Sequence, residues 1–354
     1  MSQDRTEPLR IGFILTADYS LMSLTSAVEP LRAANHLAGR ELYRPFYYSV
    51  PGGFAASTSG GGFATAPLAE VGALDLALVV AGGNPMRYED PALARALRGL
   101  LARKVRLGGI SGGAAILARY GLMAGRRFTL HWAHIDALAE QGPDLLIERT
   151  LYVIDRDRYT CAGGVAALDM MCALIARDHG AGFARQVADW FIHPNPRTPD
   201  APQRSAVAER LDLRHPMLVQ AVDLMFSHLA DPLSPEQIAA QVGCSARQLQ
   251  RLFNDGLGRP MMQVYREMRL DKADELVGQT GLSMLDIALV TGFASAAHFS
   301  RLYADRFGQP PARRRLALRG QPAAQSVAQP AVQSAAQSGQ MPGEVGRPSS
   351  NRAR

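Results

Sequence analysis

Through the first two hundred residues, short apolar runs alternate with amphipathic ones. Leu9–Thr16 (LRIGFILT) is mostly apolar, as a strand buried on both faces must be, and Ser20 to Leu37 then takes helical spacing. Tyr43–Val50 and Leu74–Val80 predict two more strands. The second leads into the breaker-rich Ala81-Gly82-Gly83-Asn84-Pro85, after which Pro91–Arg103 predicts a helix. Val105–Ile110 reads as a buried strand that passes through Ser111-Gly112-Gly113 into a helical run ending near Tyr120. Thr150–Ile154 and Tyr159–Ala162 predict a late hairpin, and Val165–Ala176 and Gly182–Phe191 predict helices. Apolar strands separated by helices imply an α/β fold, a parallel sheet covered on both faces.

The pattern changes at His193–Ser205 (HPNPRTPDAPQRS), which carries four prolines and no apolar periodicity. From about His215 to Leu318 every apolar run has helical spacing. From Arg319 onward Gln, Ala, Ser and Pro dominate, a composition that cannot bury enough surface to offset its ordering entropy. The expected organisation is therefore an α/β domain over 1–192, a linker over 193–206, an all-helical domain over 207–318 and a disordered tail over 319–354.

The helical part repeats itself. Ile238-Ala239-x3-Gly243 matches Ile287-Ala288-x3-Gly292. Arg251-Leu252-Phe253 follows the first glycine and Arg301-Leu302-Tyr303 the second, and both copies continue to an aspartate, a glycine and a proline (Asp255, Gly258, Pro260; Asp305, Gly308, Pro310). Each copy reads as a short helix (Pro235–Val242; Met284–Thr291), a glycine turn, and a second helix with Ser245 or Ser295 as N-cap. In the second helices Leu249, Leu252 and Phe253, or Phe299, Leu302 and Tyr303, share one face. The opposite faces carry Arg247, Gln248, Gln250 and Arg251, and His298 and Arg301. Arginine and glutamine make bidentate hydrogen bonds to guanine and adenine edges in the major groove. Met261–Val277 predicts one long helix between the two units.

The stretch Ser283–Arg315 (SMLDIALVTGFASAAHFSRLYADRFGQPPARRR) resembles the AraC/XylS family of bacterial transcription activators, over about a hundred residues. That resemblance implies two tandem readers on successive major-groove faces, with Arg247, Arg251 and Arg301 as the leading base contacts. Ala297 stands where the family frequently has a polar reading side chain, which implies a less discriminating second reader. Net charge adds little to this. The chain has 38 Lys+Arg against 32 Asp+Glu, and the excess is spread evenly over its parts, so position rather than charge marks the DNA-binding half.

In the first half, Gly109-Ile110-Ser111-Gly112-Gly113 satisfies G-x-S-x-G at a strand-to-helix junction, the setting of a nucleophile elbow. Taken alone it predicts a serine hydrolase or amidase with His131 as base. The wider pattern, AGGNP after one strand and GISGGAAILARYGLMAG–RRFTLHW after another, resembles the class I glutamine-amidotransferase-like superfamily in its PfpI-like branch, and with it a flavodoxin-like sandwich. More narrowly it is similar to the sensor half of GlxA-type regulators, which include regulators of arginine, carnitine and glycine betaine catabolism. Ser26-Ala27-Val28-Glu29-Pro30-Leu31-Arg32-x2-Asn35 belongs to that resemblance. By position Ser111 replaces the superfamily's cysteine, His131 takes the histidine place and Glu29 the carboxylate place. Serine needs an aligned base where cysteine needs only a lowered pKa. The expectation is therefore a vestigial site reused for an effector, lined by Glu29, Gly83, Asn84, Ser111, Gly112, His131 and Trp132. Gly112 and Gly83 N–H groups would hold a polar group and Trp132 would pack on an ammonium.

Cys161, Cys172 and Cys244 lie far apart, with no CxxC pair, so no zinc module, disulfide framework or other metal site is expected, and no cofactor. Ser59-Gly60-Gly61-Gly62 lacks a P-loop lysine and reads as a turn. No signal peptide or membrane helix is expected. The reading is a cytoplasmic regulator, most simply an activator and a homodimer, whose partners are promoter DNA, a small-molecule effector and RNA polymerase.

Overall fold

The computed structural model of the chain describes residues 7–204, 211, 213 and 215–320. Ten strands form in its first half: β1 (Leu9–Leu15), β2 (Tyr43–Ser49), β3 (Gly53–Ala56), β4 (Gly62–Pro67), β5 (Leu76–Ala81), β6 (Arg106–Ser111), β7 (Arg127–Phe128), β8 (Leu146–Ile147), β9 (Tyr152–Asp155) and β10 (Arg158–Cys161). Helices α1 (Leu21–Ala38), α2 (Pro91–Ala102), α3 (Gly113–Arg119), α4 (Trp132–Gln141), α5 (Ala166–His179) and α6 (Ala181–Trp190) lie between or after them. Eight strands make one sheet in the order β3-β4-β2-β1-β5-β6-β10-β9, and β7 pairs with β8 separately. The centre is parallel, β2-β1-β5-β6-β10, and β3 and β9 run antiparallel at the two edges.

The predicted α/β class, flavodoxin-like sandwich and late hairpin are all present. β5 is buried at every position, as expected of a central parallel strand clothed on both sides. One apolar cluster joins the sheet to α1, α5 and α6, through residues such as Leu24, Leu31, Met170 and Leu174. The other joins it to α2, α3 and α4, through Leu93, Leu97, Ile116 and Leu138. The chain leaves β1 toward β2 on one side and later returns to β5 on the other. The C-terminal ends of β1, β5, β6 and β10 therefore open at a topological switch point, where sheets of this kind place ligands.

Five elements of the sheet half escaped the periodicity: β3, β4, α4 and the short strands β7 and β8. β3 and β4 form a hairpin around the Ser59–Gly62 turn, in a segment whose small residues alternate too weakly to register. α4 begins immediately after His131, where the apolar spacing over ten residues is short and mixed.

The proline-rich segment is not a free linker over its first part. Asp169 of α5 is fully buried, accepts from Arg197 Nη2 at 2.7 Å and from the Arg197 backbone at 2.9 Å, and pairs with His193 Nε2 at 2.9 Å. Gln203 Nε2 donates to Thr129 Oγ1, Leu130 O and Thr150 O at 2.6–3.0 Å. Residues 193–204 are thus strapped to the sheet domain. The last helix runs to Gly320, two residues into the tail expected from 319; residues 205–210, 212, 214 and 321–354 lie outside the described residues.

The second half is helical throughout, as expected: α7 (Pro216–Ser227), α8 (Pro235–Val242), α9 (Ala246–Leu257), α10 (Met261–Gln279), α11 (Met284–Val290), α12 (Ala296–Phe307) and α13 (Pro311–Gly320). It has two small cores. Met261, Val264 and Tyr265 from the start of α10 enter the first, with α7, α8 and α9. Leu270, Ala273, Leu276 and Val277 from its end enter the second, with α11 and α12. α10 is a shared beam between two helix-turn-helix units.

Candidate DNA interface and sensor site

Both helix-turn-helix units are fixed by local chemistry. α8 opens with a capping box, in which Ser234 Oγ accepts from Gln237 N at 3.2 Å and Gln237 Oε1 accepts from Ser234 N at 2.8 Å. Ser283 and Asp286 do the same for α11. Gly243, at φ 81°, ends α8, and Ser245 then caps α9 by accepting from Gln248 N at 3.2 Å. Ser295 caps α12 through His298 N at 3.3 Å.

Leu249 and Phe253 turn into the first core, and Phe299 and Tyr303 into the second, all fully buried. Arg247, Gln248 and Arg251 are exposed on α9, and His298 and Arg301 on α12. Gln250 differs from the expected outward set. It is half-buried on the flank of α9, and its Nε2 donates to Asn254 Oδ1 at 3.1 Å. Asn254, exposed and seven residues after Arg247, falls on the Arg247–Arg251 face instead. Helical-wheel spacing alone was enough to find it.

Several arginines of this half are held within the fold, whereas Arg266 and Arg313 are exposed without an ion pair among the described residues. Arg306 forks onto Asp271 at 2.7–2.9 Å, Arg259 pairs with Glu267 and Arg314 with Asp274. Arg269 donates to Thr291 O at 2.8 Å and to Gly292 O while lying 4.1 Å from the Phe293 ring centroid. These arginines hold the fold together. Arg247, Arg251 and Arg301 have no ion pair among the described residues and face solvent. Their charge is left for a polyanion.

In the sheet domain the elbow is real. Ser111 ends β6 at φ 59°, in the left-handed region that a nucleophile elbow imposes, and is buried. A Cβ on Gly113 would lie 1.9 Å from Val79 O, so only glycine lets α3 start this close to β5. The fully buried Cys161 thiol accepts from the backbone N–H groups of Gly163 and Ser111. Burial pushes its pKa up to about 12, so it remains a neutral thiol.

The other expected residues are distributed differently. Gly112 N–H already donates to Ala81 O at 3.2 Å, and a Cβ on Gly112 would strike Pro85 at 2.8 Å. The Pro85–Arg87 turn therefore closes over that side of the elbow, and the Gly112 donor expected for an effector is taken. Gly83 takes φ 57° beside it, and Asn84 Oδ1 caps the turn by accepting from Met86 N at 3.1 Å.

His131 Nδ1 caps α4 by accepting from Ala133 N at 3.3 Å, and among the described residues no hydrogen bond joins His131 to Ser111. Glu29 does not reach the elbow. It is half-exposed, ion-paired with Arg32 at 2.7 Å, and close enough to Tyr47 to raise that phenol's pKa together with burial. The α1 residue that does reach the elbow loops is Ser23, buried two turns earlier, whose Oγ accepts from Gly164 N at 2.7 Å. Glu29 has the residue type expected there, but the rise of about 1.5 Å per residue along α1 carries it away from the site.

The remaining candidates meet the helical half. Trp132 is half-buried, and the Arg204 guanidinium lies 3.9 Å from its ring centroid, so a cation occupies the face expected for a ligand ammonium. Asn84 Nδ2 donates to Gly278 O at 3.4 Å. His134 bonds Gln279 through its side chain and leaves Nδ1 buried and unpaired; burial and the adjacent His131 hold its pKa down at about 4. Asp136 pairs with Lys272 and with Arg149, and Lys272 reaches Glu275 at 3.1 Å. α4 and the Asn84 loop thus lie directly against α10. Among the described residues no group of three or more His, Cys, Asp or Glu could hold a metal ion, and no helix is long and apolar enough to cross a membrane.

The DJ-1/PfpI family matches residues 63–177 and a helix-turn-helix domain family matches residues 238–317. The chain is 43% identical to the HTH-type transcriptional regulator GlxA of Rhizobium meliloti over 88% of its own length and 96% of that protein. It is 40% identical to the HTH-type transcriptional regulator CdhR of Pseudomonas aeruginosa over 90% and 93% of the two chains. To the HTH-type transcriptional regulator GbdR of the same species it is 36% identical over 90% and 87%.

Proposed function

This chain belongs to the GlxA-type AraC-family transcriptional regulators, with a DJ-1/PfpI-like domain ahead of an AraC-type helix-turn-helix domain, and we propose that it reads promoter DNA through α9 and α12 under control of a small metabolite. Arg247, Gln248, Arg251, His298 and Arg301 are the reading residues, joined by Asn254, with Gln250 supporting Asn254 from the flank. The observation that carries this is the repeat of position: Arg247, Arg251 and Arg301 stand exposed, without an ion pair among the described residues, on the matching outer faces of two capped second helices.

The sensor is taken to be residues up to 204 and the reader to begin beyond the following segment. Its effector is a small nitrogenous metabolite, such as an amino acid, a betaine or carnitine, a class that follows from the resemblance of the sensor half. The regulator acts in the cytoplasm as a homodimer, most simply as an activator that contacts RNA polymerase. The elbow is read as non-catalytic, because hydrolysis by Ser111 needs an aligned base and His131 is engaged as a helix cap.

The test uses the full-length chain and a duplex that it enriches from a randomised DNA library, followed by fluorescence anisotropy. Arg251→Ala and Arg301→Ala each weaken binding to that duplex about ten- to hundredfold, the worth of one bidentate base contact, without lowering the melting temperature. Unchanged affinity in both would remove α9 and α12 as readers. If the protein turns over esters or amides and Ser111→Ala abolishes it, the non-catalytic reading fails.

A further inference from the structure

A cavity of about 570 Å³ lies not at the elbow but between the two halves. Trp132 of α4 and Arg204 form one wall, Asp223 and Phe226 of α7 another, and Met268 and Lys272 of α10 a third. That is the size and mixture of a small-ligand site: apolar and aromatic surface with a few charged groups.

The charged groups are not equivalent. Asp136 and Glu275 are spent on Lys272, and Asp271 on Arg306. Asp223 lines the same cavity, is exposed, and has no ion pair among the described residues. Among the described residues Arg204 has one ion-pair partner, Glu275 at 3.9 Å, the limit of an ion pair, while its guanidinium rests on Trp132 at 3.9 Å. An aromatic face and an unpaired carboxylate in one cavity are what an organic cation requires, and Arg204 already fills the aromatic half of that site.

We propose that this junction cavity binds a small organic cation, a guanidinium or a quaternary or primary ammonium, which displaces Arg204 from Trp132 and pairs with Asp223. The proposal rests on the metabolite-sensing reading above and gives it a place and a ligand chemistry. The cavity wall includes α10, the beam shared by both readers, so an occupant bears on the reader half directly. Ligand-dependent DNA affinity then requires only that the cation bind the two arrangements of α10 unequally.

The chain has two tryptophans, Trp132 and Trp190, so Trp190→Phe leaves Trp132 as the only indole. In that background the full-length protein is titrated with tetramethylammonium, methylguanidinium, L-arginine, glycine betaine and L-carnitine, with potassium chloride at matched ionic strength as control. At least one of these cations gives a saturable change in Trp132 fluorescence. Asp223→Asn weakens its binding about tenfold, and Arg204→Ala tightens it about three- to tenfold because the internal competitor is gone. Failure of every cation to saturate overturns the proposal, and so does binding that neither substitution alters. Anisotropy on the selected duplex without cation is run alongside. Loss of DNA binding there would refute the regulator reading, whereas intact DNA binding with no cation response refutes only the cavity.

Discussion

Gly163 lies at φ +90°, and a Cβ placed on it would come within 2.5 Å of the Ser111 Cβ. Ser111 is itself at φ 59°, so one strained backbone is packed against a glycine whose positive φ a side chain would not tolerate. Gly163→Ala should cost about 2–4 kcal/mol, overpacking added to left-handed strain. Gly164→Ala, at φ +55° with nothing within 4 Å, should cost about 1 kcal/mol. Urea midpoints for the pair measure the difference, and equal costs would mean that the elbow relaxes. His134 offers a second test at this scale. Its folded pKa of about 4 is below the ordinary histidine value, so between pH 6.5 and 4 the unfolded chain binds the proton that the folded chain refuses. Stability is therefore intact above pH 6.5 and falls as pH drops through that window, by up to about 3 kcal/mol from this group. His131, also lowered by burial, adds in the same direction. His134→Gln should flatten the slope of urea stability between pH 6.5 and 4.5; a slope like that of the parent protein would place the titration elsewhere.

Among the elements, α10 bears the most consequence, since its first half belongs to one core and its second half to the other. Arg269, near its middle, fastens the second turn by donating to Thr291 O and Gly292 O and covering Phe293. Burial lowers its pKa somewhat, yet guanidinium keeps its charge. Arg269→Ala leaves two partly buried carbonyls short of a charged donor and should cost about 2–3 kcal/mol. DNA affinity should fall as well, although Arg269 is not on the reading face; Arg269→Lys, which cannot fork, should recover only part. Thermal melts and anisotropy together check this. The repeat, its caps and the length of α10 were legible in the sequence because local rules govern them: serine before a helix, glycine after it, apolar residues three and four apart. The elbow was legible for the same reason. What failed were inferences across distance. Glu29 was selected as a carboxylate, but α1 carries Ser23 to the elbow. Gly112 N–H was offered to a ligand, but Ala81 O, thirty-one residues earlier, already holds it. Trp132 does carry a cation on its face, the chain's own Arg204.

At the scale of the molecule, the two halves meet where α4 and the Asn84 loop touch α10. Asp136 is the central group, pairing with Lys272 across the junction and with Arg149 within the sheet domain, and those two cations hold its pKa below the usual carboxylate range against the effect of burial. A half-buried pair with each partner also held elsewhere should be worth more than an exposed one, for which about 1 kcal/mol is the ceiling. The clamp is measurable without knowing the effector. Asp136→Asn, Lys272→Gln and the double variant form a cycle on global stability, with an expected coupling of about 1–3 kcal/mol. Each single substitution should also separate the cooperative thermal transition into two, as the reader half melts free of the sensor. The same variants should shift DNA affinity by equal factors, because either one releases the same helix. Additive effects on stability, with one unbroken transition in every variant, would mean that α10 is held by its own cores alone. The sensor would then have to act on the readers by another route.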